Sequence, residues 1–201
     1  MMIFFKARLA FLAVPKTGST AYQSALRHHA DMIISNPPAL KHAPVYRYNR
    51  FIRPMFEKVC GTELEVMALM REPVSWLGSW WRYRQRPAME GRPTATVGVN
   101  FDDFIDAYMQ NDRPAFADVG AQSVFLEQRP NGTAVRHLFA YEDDAAIHGF
   151  LQERLGITFS LERENASPEL TVSLSADVEA RLRRHSATDF ALYTSIRHSQ
   201  V

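Results

Sequence analysis

Cysteine is nearly absent from this chain: Cys60 stands alone among 201 residues. A single thiol excludes an internal disulfide framework and a cysteine-rich zinc site. An excess of charge of one sign is also missing, with 23 Lys and Arg against 22 Asp and Glu and a net charge of +1. That balance excludes a surface built as a whole for polyanions, so nucleic acid is not an expected partner, while a local anion site stays open. Long apolar runs are lacking too. The longest, Leu9 to Val14 with Phe4 and Phe5 upstream, is interrupted by Lys6 and Arg8. It falls far short of the roughly 20 residues of a membrane span, and no cleavable signal pattern stands out. No internal repeat, low-complexity tract or charge block is found. What is present is a chain with 46% apolar residues, long enough to hide roughly 70% of its unfolded surface in one core. The expectation is a soluble, cytoplasmic protein with a single domain over residues 1–201, its oligomeric state open.

Apolar segments alternate with helical rhythms. Residues 7–14 read as a buried strand stopped by Pro15, and residues 18–30 as a helix capped by Thr17 or Ser19. Residues 32–35 form a second short strand, ended by Asn36-Pro37-Pro38. Residues 44–60 carry a helical rhythm in Val45, Tyr48, Phe51, Ile52, Met55 and Val59 despite Pro54. Residues 64–70 are of strand length, and a helix follows from Pro73, proline suiting a first helical turn. Residues 87–100 have no apolar period and read as a long loop. Beyond them come helices over 101–109 and 119–128, a strand over 135–141 and a helix over 142–155. An irregular stretch over 162–168 and a last helical region over 176–197 complete the chain. This alternation predicts an α/β fold of three layers, a central, mainly parallel sheet flanked by helices.

Two strand-to-helix junctions carry chemistry. In Val14-Pro15-Lys16-Thr17-Gly18-Ser19-Thr20, a glycine and hydroxyl residues let backbone N–H groups converge on an anion at a helix start, and Lys16 adds a full charge. The same residues also suit an ordinary turn with a helix cap. The Walker A pattern is absent, because the lysine precedes the glycine and the first glycine is missing. In the second junction, Arg71 ends a strand and Ser79 follows eight residues later, after Pro73. A guanidinium matches phosphate geometry well. The alternative pairs Arg71 with Glu72 or another acid and makes Ser79 a routine helix residue.

The segment Pro15 to Thr20 resembles the 5′-phosphosulfate loop of sulfotransferases that use 3′-phosphoadenosine-5′-phosphosulfate (PAPS). Arg71, Pro73 and Ser79 match the same family's Arg-x-Pro element, whose later serine helps hold the 3′-phosphate. Phe139-Ala140-Tyr141-Glu142-Asp143, Asn165-Ala166-Ser167 and Asp189 to Tyr193 extend the resemblance, more thinly, toward the C-terminus. The glycine- and lysine-rich C-terminal motif of small-molecule members and the anchor helix of Golgi members are missing, so the chain looks most like the compact soluble bacterial type. This resemblance implies a P-loop nucleotide-hydrolase-like fold, PAPS as donor and 3′-phosphoadenosine-5′-phosphate (PAP) as product, with no metal. It implies that Lys16, Thr17, Gly18, Ser19 and Thr20 bind the 5′-phosphosulfate and Arg71 and Ser79 the 3′-phosphate. The acceptor would be a hydroxyl or amine of a small molecule or saccharide.

Transfer of a sulfuryl group requires charge neutralisation on the leaving phosphate, for which Lys16 is the candidate, and a base for the acceptor's proton. Of the seven histidines, His28 and His29 end a helix, His137 lies in a strand, and His148, His185 and His198 sit on helices remote from both junctions. None makes a metal-binding spacing. His42, in Pro38-Ala39-Leu40-Lys41-His42-Ala43-Pro44, follows the second strand at the sheet edge expected for Lys16. Some sulfotransferases place a Lys-His pair or a glutamate here, which supports His42 as base and Lys41 as a holder of sulfuryl oxygens or an acidic acceptor. The alternative is a loop histidine capping the helix from Pro44; Glu57 and Glu63 are rival bases. Trp76, Trp80, Trp81 and Tyr83, with Arg82, Arg84 and Arg86, read either as a wall for the acceptor or as a core face with solvated arginines. The 87–100 loop has the length of a lid. Two other functions stay open: an ATP-dependent small-molecule kinase and a non-catalytic nucleotide-binding module.

Overall fold

Buried backbone must find hydrogen-bond partners, and the short apolar segments of this chain find them in one another. The computed structural model describes residues 1–161 and 172–198. Its strands are β1 (Met2–Phe4), β2 (Leu9–Phe11), β3 (Met32–Ile33), β4 (Glu65–Met70) and β5 (Val135–Ala140). They form one mixed sheet in the order β3-β1-β2-β4-β5. The fold is α/β, but the sheet is less parallel than the alternation predicts. β2, β4 and β5 run parallel, whereas β1 pairs antiparallel with both β2 and β3. The reason lies at the N-terminus. Met2–Phe4 is too short to show a period, and the turn closed by Arg8 N–H donating to Phe5 O at 3.0 Å folds it into a hairpin with β2. A hairpin is antiparallel by construction.

The helices are α1 (Ser19–Leu26), α2 (Pro38–Lys41), α3 (Val45–Arg47), α4 (Arg53–Cys60), α5 (Pro73–Arg84) and α6 (Phe101–Tyr108). They continue with α7 (Gln122–Leu126), α8 (Asp144–Leu155), α9 (Ala176–His185) and α10 (Ala187–His198). A π turn over Tyr48–Ile52 joins α3 to α4. Side chains alternate across the strands, so neighbours enter opposite layers. Phe4, Leu9, Phe11, Met67 and Leu69 pack with Tyr22 and Leu26 of α1 and Ile147 and Leu151 of α8. Ile3, Ala10, Leu12, Val66 and Ala68 pack on the other face with Val45, Tyr48, Leu126 and Ile196. Burial on both faces explains why these strands read as unbroken apolar runs. A third cluster, around Trp76, Trp81, Phe104 and Leu182, joins α5, α6 and α9 beside the sheet.

The last helical region breaks at Ser186, which separates α9 from α10. The 87–100 stretch contains a short 3₁₀ turn over Pro87–Met89 and is tied down rather than free. Thr96 Oγ1 donates to Trp81 O at 2.8 Å, and Trp81 Nε1 donates to Val99 O at 2.8 Å. Asn165-Ala166-Ser167 and the 162–168 stretch lie outside the described residues.

Candidate functional site

The C-terminal ends of the three parallel strands lie side by side, and each leads into a turn that starts a helix. In open α/β sheets this edge is where ligands bind. Beyond β2 the backbone turns sharply: Lys16 has φ 67° and Gly18 φ 68°. Gly18 precedes α1, whose first turn closes with Ala21 N–H donating to Gly18 O at 3.0 Å. A Cβ at Gly18 would stand 3.0 Å from Cε2 of Tyr141, so this glycine serves both the left-handed turn and a close approach. Thr17 is buried and donates its hydroxyl to Val14 O at 2.9 Å, which makes it a brace within the loop. Ser19 is buried at the start of α1, and Thr20 Oγ1 accepts from Lys41 Nζ at 3.1 Å.

The Lys16 side chain runs over Tyr83, with Nζ 4.2 Å from the ring centroid, and toward Trp80 at 5.7 Å. Burial, then the charges of Arg86, Arg71 and Arg82, push its ammonium down to about 8. Four cations therefore share one place, and neither Lys16 nor Arg71 forms an ion pair among the described residues. Neighbouring cations repel one another, and an anion placed beside them relieves that repulsion.

Arg71 does not pair with Glu72. Its Nε donates to Ser75 Oγ at 2.9 Å, its Nη1 points to Lys16 O at 3.4 Å, and its guanidinium lies 4.8 Å from the Tyr141 ring centroid. The residue is held from behind by Gln122, which accepts from Arg71 N at 2.9 Å and donates to Arg71 O at 2.8 Å. Glu72 caps α5 instead, accepting from Ser75 N at 2.7 Å. Ser79 is buried one turn beyond Ser75 on the same face of α5, so the guanidinium meets Ser75 first.

His42 sits at the end of α2, but its ring does not cap the next helix. Nδ1 lies 2.7 Å from Ala13 O, and a carbonyl only accepts, so Nδ1 carries the proton and Nε2 keeps its lone pair. Burial, with the charges of Lys41, the N-terminus and Lys16, lowers its pKa from the usual 6.5 despite the Ala13 bond. The imidazole is therefore neutral at pH 7. Among the rivals, Glu57 is paired with Arg53 at 2.7 Å. The first junction and the Lys41-His42 pair thus meet, through Thr20 on one side and Ala13 on the other.

The aromatic-arginine helix divides its residues between two roles. Trp76 and Trp81 are in the core, with Trp76 Nε1 donating to Pro15 O at 2.9 Å, while Trp80 and Tyr83 line the Lys16 side chain. Arg84 is buried and donates to Ala115 O and Asp118 O, both at 3.0 Å, whereas Arg86 lies over Tyr83 at 4.9 Å. Ser75 and Gln122 were missed by the motif. Nothing in the sequence links Gln122 to Arg71, 51 positions earlier. Glu142 accepts from Glu72 N at 3.0 Å and from Tyr193 OH at 2.8 Å, and Asp189 accepts from Gln122 N and Ser123 N. The late segments thus brace the second junction. Among the described residues no three His, Cys, Asp or Glu side chains group as a metal site, and no helix is long and apolar enough to cross a membrane. A cavity of about 180 Å³ lies alongside, lined by Val14, Pro15, Pro44, Trp76, Gln122 and Phe125 among others. No protein-family model and no curated protein matches this chain.

Proposed function

We propose that this protein is a PAPS-dependent sulfotransferase of P-loop nucleotide-hydrolase-like fold. The observation that carries the reading is the convergence of Lys16 and Arg71 at the meeting of two strand ends, with Arg71 Nη1 3.4 Å from Lys16 O and neither side chain in an ion pair among the described residues. A nucleotide with phosphate groups on the 5′ and 3′ oxygens of its ribose relieves the repulsion between these cations. In this reading Lys16 and the backbone of residues 16–20 receive the 5′-phosphosulfate. Arg71, held in place by Ser75 and Gln122 with Ser79 one turn on, receives the 3′-phosphate.

The reaction moves one group and one proton. An acceptor oxygen or nitrogen attacks sulfur in line, the bond from sulfur to the 5′-phosphate oxygen breaks, and PAP leaves. Nε2 of His42 takes the acceptor's proton, its direction set by the Nδ1–Ala13 bond. The Lys16 charge stabilises the phosphate oxygen as it gains negative charge. The neighbouring cavity gives room for part of a small acceptor.

Calorimetry with PAP, adenosine 5′-phosphosulfate and ATP, followed by turnover of PAPS with an acceptor library, tests the reading. Tight PAP binding and new sulfated products support it. Magnesium-dependent ATP binding without PAP binding replaces it with a kinase, and PAP binding with no product in any acceptor pool leaves a binding module.

A further inference from the structure

The helical stretch that begins just after His42 buries one row of apolar residues and exposes another. Val45 and Tyr48 are fully buried, and Ile52 and Phe56 pack against the same core cluster. Tyr46, Phe51, Met55 and Val59 face outward and are 42%, 60%, 42% and 79% exposed. With Leu40 they are five of the eight large apolar side chains that stand exposed among the described residues, so the exposure is concentrated in one segment. The pattern runs through the π turn. It keeps Tyr48, Ile52 and Phe56 inward at steps of four and leaves Phe51, Met55 and Val59 as a second row outward.

The charge of the segment is as uneven as its polarity. Residues 38–60 carry five Lys and Arg and one acid, a net +4, while the remainder of the chain is at net −3. The single acid, Glu57, is already taken by Arg53. Arg47 lies over the exposed Tyr46 ring at 5.5 Å and Arg50 over Phe51 at 5.4 Å, and Arg50 and Lys58 are themselves exposed. An apolar row edged by cations fits the boundary of an anionic bilayer, where the apolar side chains enter the acyl margin and the cations meet headgroup phosphates. A second copy docking by its own matching face would bring the net +3 of residues 46–59 against another +3, which repulsion opposes. A helical acidic peptide docks into a groove, and here the row stands on the outer side of a helix.

We propose that residues 46–59 form a peripheral docking face for an anionic lipid bilayer, with Phe51, Met55 and Val59 as the inserted side chains. The full chain is floated with vesicles of phosphatidylcholine alone and of phosphatidylcholine containing phosphatidylserine, at low and high salt. Partitioning should be about tenfold stronger on the anionic vesicles, with high salt removing most of the difference. Phe51→Ser with Val59→Ser should weaken it about tenfold or more on the same vesicles, and Arg50→Glu with Lys58→Glu should abolish the preference for phosphatidylserine. All four positions are exposed, and circular dichroism of each variant checks that the fold is kept. No partitioning to either vesicle overturns the proposal, as does equal partitioning to both or partitioning that the variants leave unchanged. A wild-type dimer in light scattering that Phe51→Ser with Val59→Ser dissolves, without vesicle binding, assigns the face to a second copy instead.

Discussion

Filling the cation cluster with a phosphate should make Lys16 take up a proton. In the free protein, burial and the charges of Arg86, Arg71 and Arg82 push its ammonium down to about 8. A phosphate dianion beside it reverses the local field and returns the group toward the ordinary lysine value of about 10.4. With a pKa of about 8, roughly a tenth of the Lys16 side chains are neutral at pH 7, half at pH 8 and nine-tenths at pH 9. PAP binding should then consume about 0.1, 0.5 and 0.9 proton at those pH values, and PAP affinity should fall toward tenfold per pH unit above about 8. PAP's phosphates are already dianions there, and His42, held below its usual 6.5, is neutral. Calorimetry in buffers of different ionisation enthalpy reads the proton count directly. Lys16→Met should remove the uptake at pH 8. The same variant should stabilise the free protein at pH 7 by about 1–3 kcal/mol, because the native state holds the charged form less well than the unfolded chain does. The sign follows from the shift: between about 8 and 10 the unfolded chain binds more protons, so wild-type stability rises with pH in that window. An absence of buffer dependence at pH 8, or the same uptake in Lys16→Met, would refute the reasoning.

Three further outcomes follow from single contacts. Arg71→Ala should cost about 1.5–3 kcal/mol of PAP affinity and leave adenosine 5′-phosphosulfate, which lacks the 3′-phosphate, nearly unmoved; equal losses in calorimetry would reject the assignment. If the neutral ring takes the acceptor's proton as proposed, single-turnover rates should rise with pH through a His42 pKa below 6.5, and His42→Asn should flatten that limb and slow the step roughly 100-fold with PAP affinity kept. An unchanged limb in the Asn variant would make His42 structural. Gly18→Ala should lose about 1–2 kcal/mol in urea denaturation, from the left-handed φ and the contact with Tyr141. Tyr141→Leu in the same chain should recover only the contact part, and a fully stable Gly18→Ala alone would show that the turn relaxes.

The local signals in this chain were strong wherever a residue's own backbone decides the outcome. Pro15 and Pro73 mark a strand stop and a helix start, Gly18 marks the left-handed turn, and the apolar runs at 9–14 and 65–70 mark strands covered on both faces. Lys16 and Arg71 could be singled out as well, because each sits where a strand ends and a helix begins. The sequence also showed Lys41 beside His42, though not what the ring would touch.

Long-range pairing decided the rest, because hydrogen bonds and burial between distant residues leave no trace in local composition. Met2–Phe4 becomes a strand only because β2 and β3 flank it, and that pairing makes the sheet mixed. Ala13 O fixes the tautomer of His42 from 29 positions away, and Gln122 grips Arg71 from 51 positions away. The arginines of α5 look alike in the sequence, yet Arg84 is consumed by Ala115 O and Asp118 O while Arg86 shares the Tyr83 ring with Lys16. Residue type set which groups carry charge; only the folded chain decided which of them are buried and which lie near one another, and that burial and proximity lower Lys16.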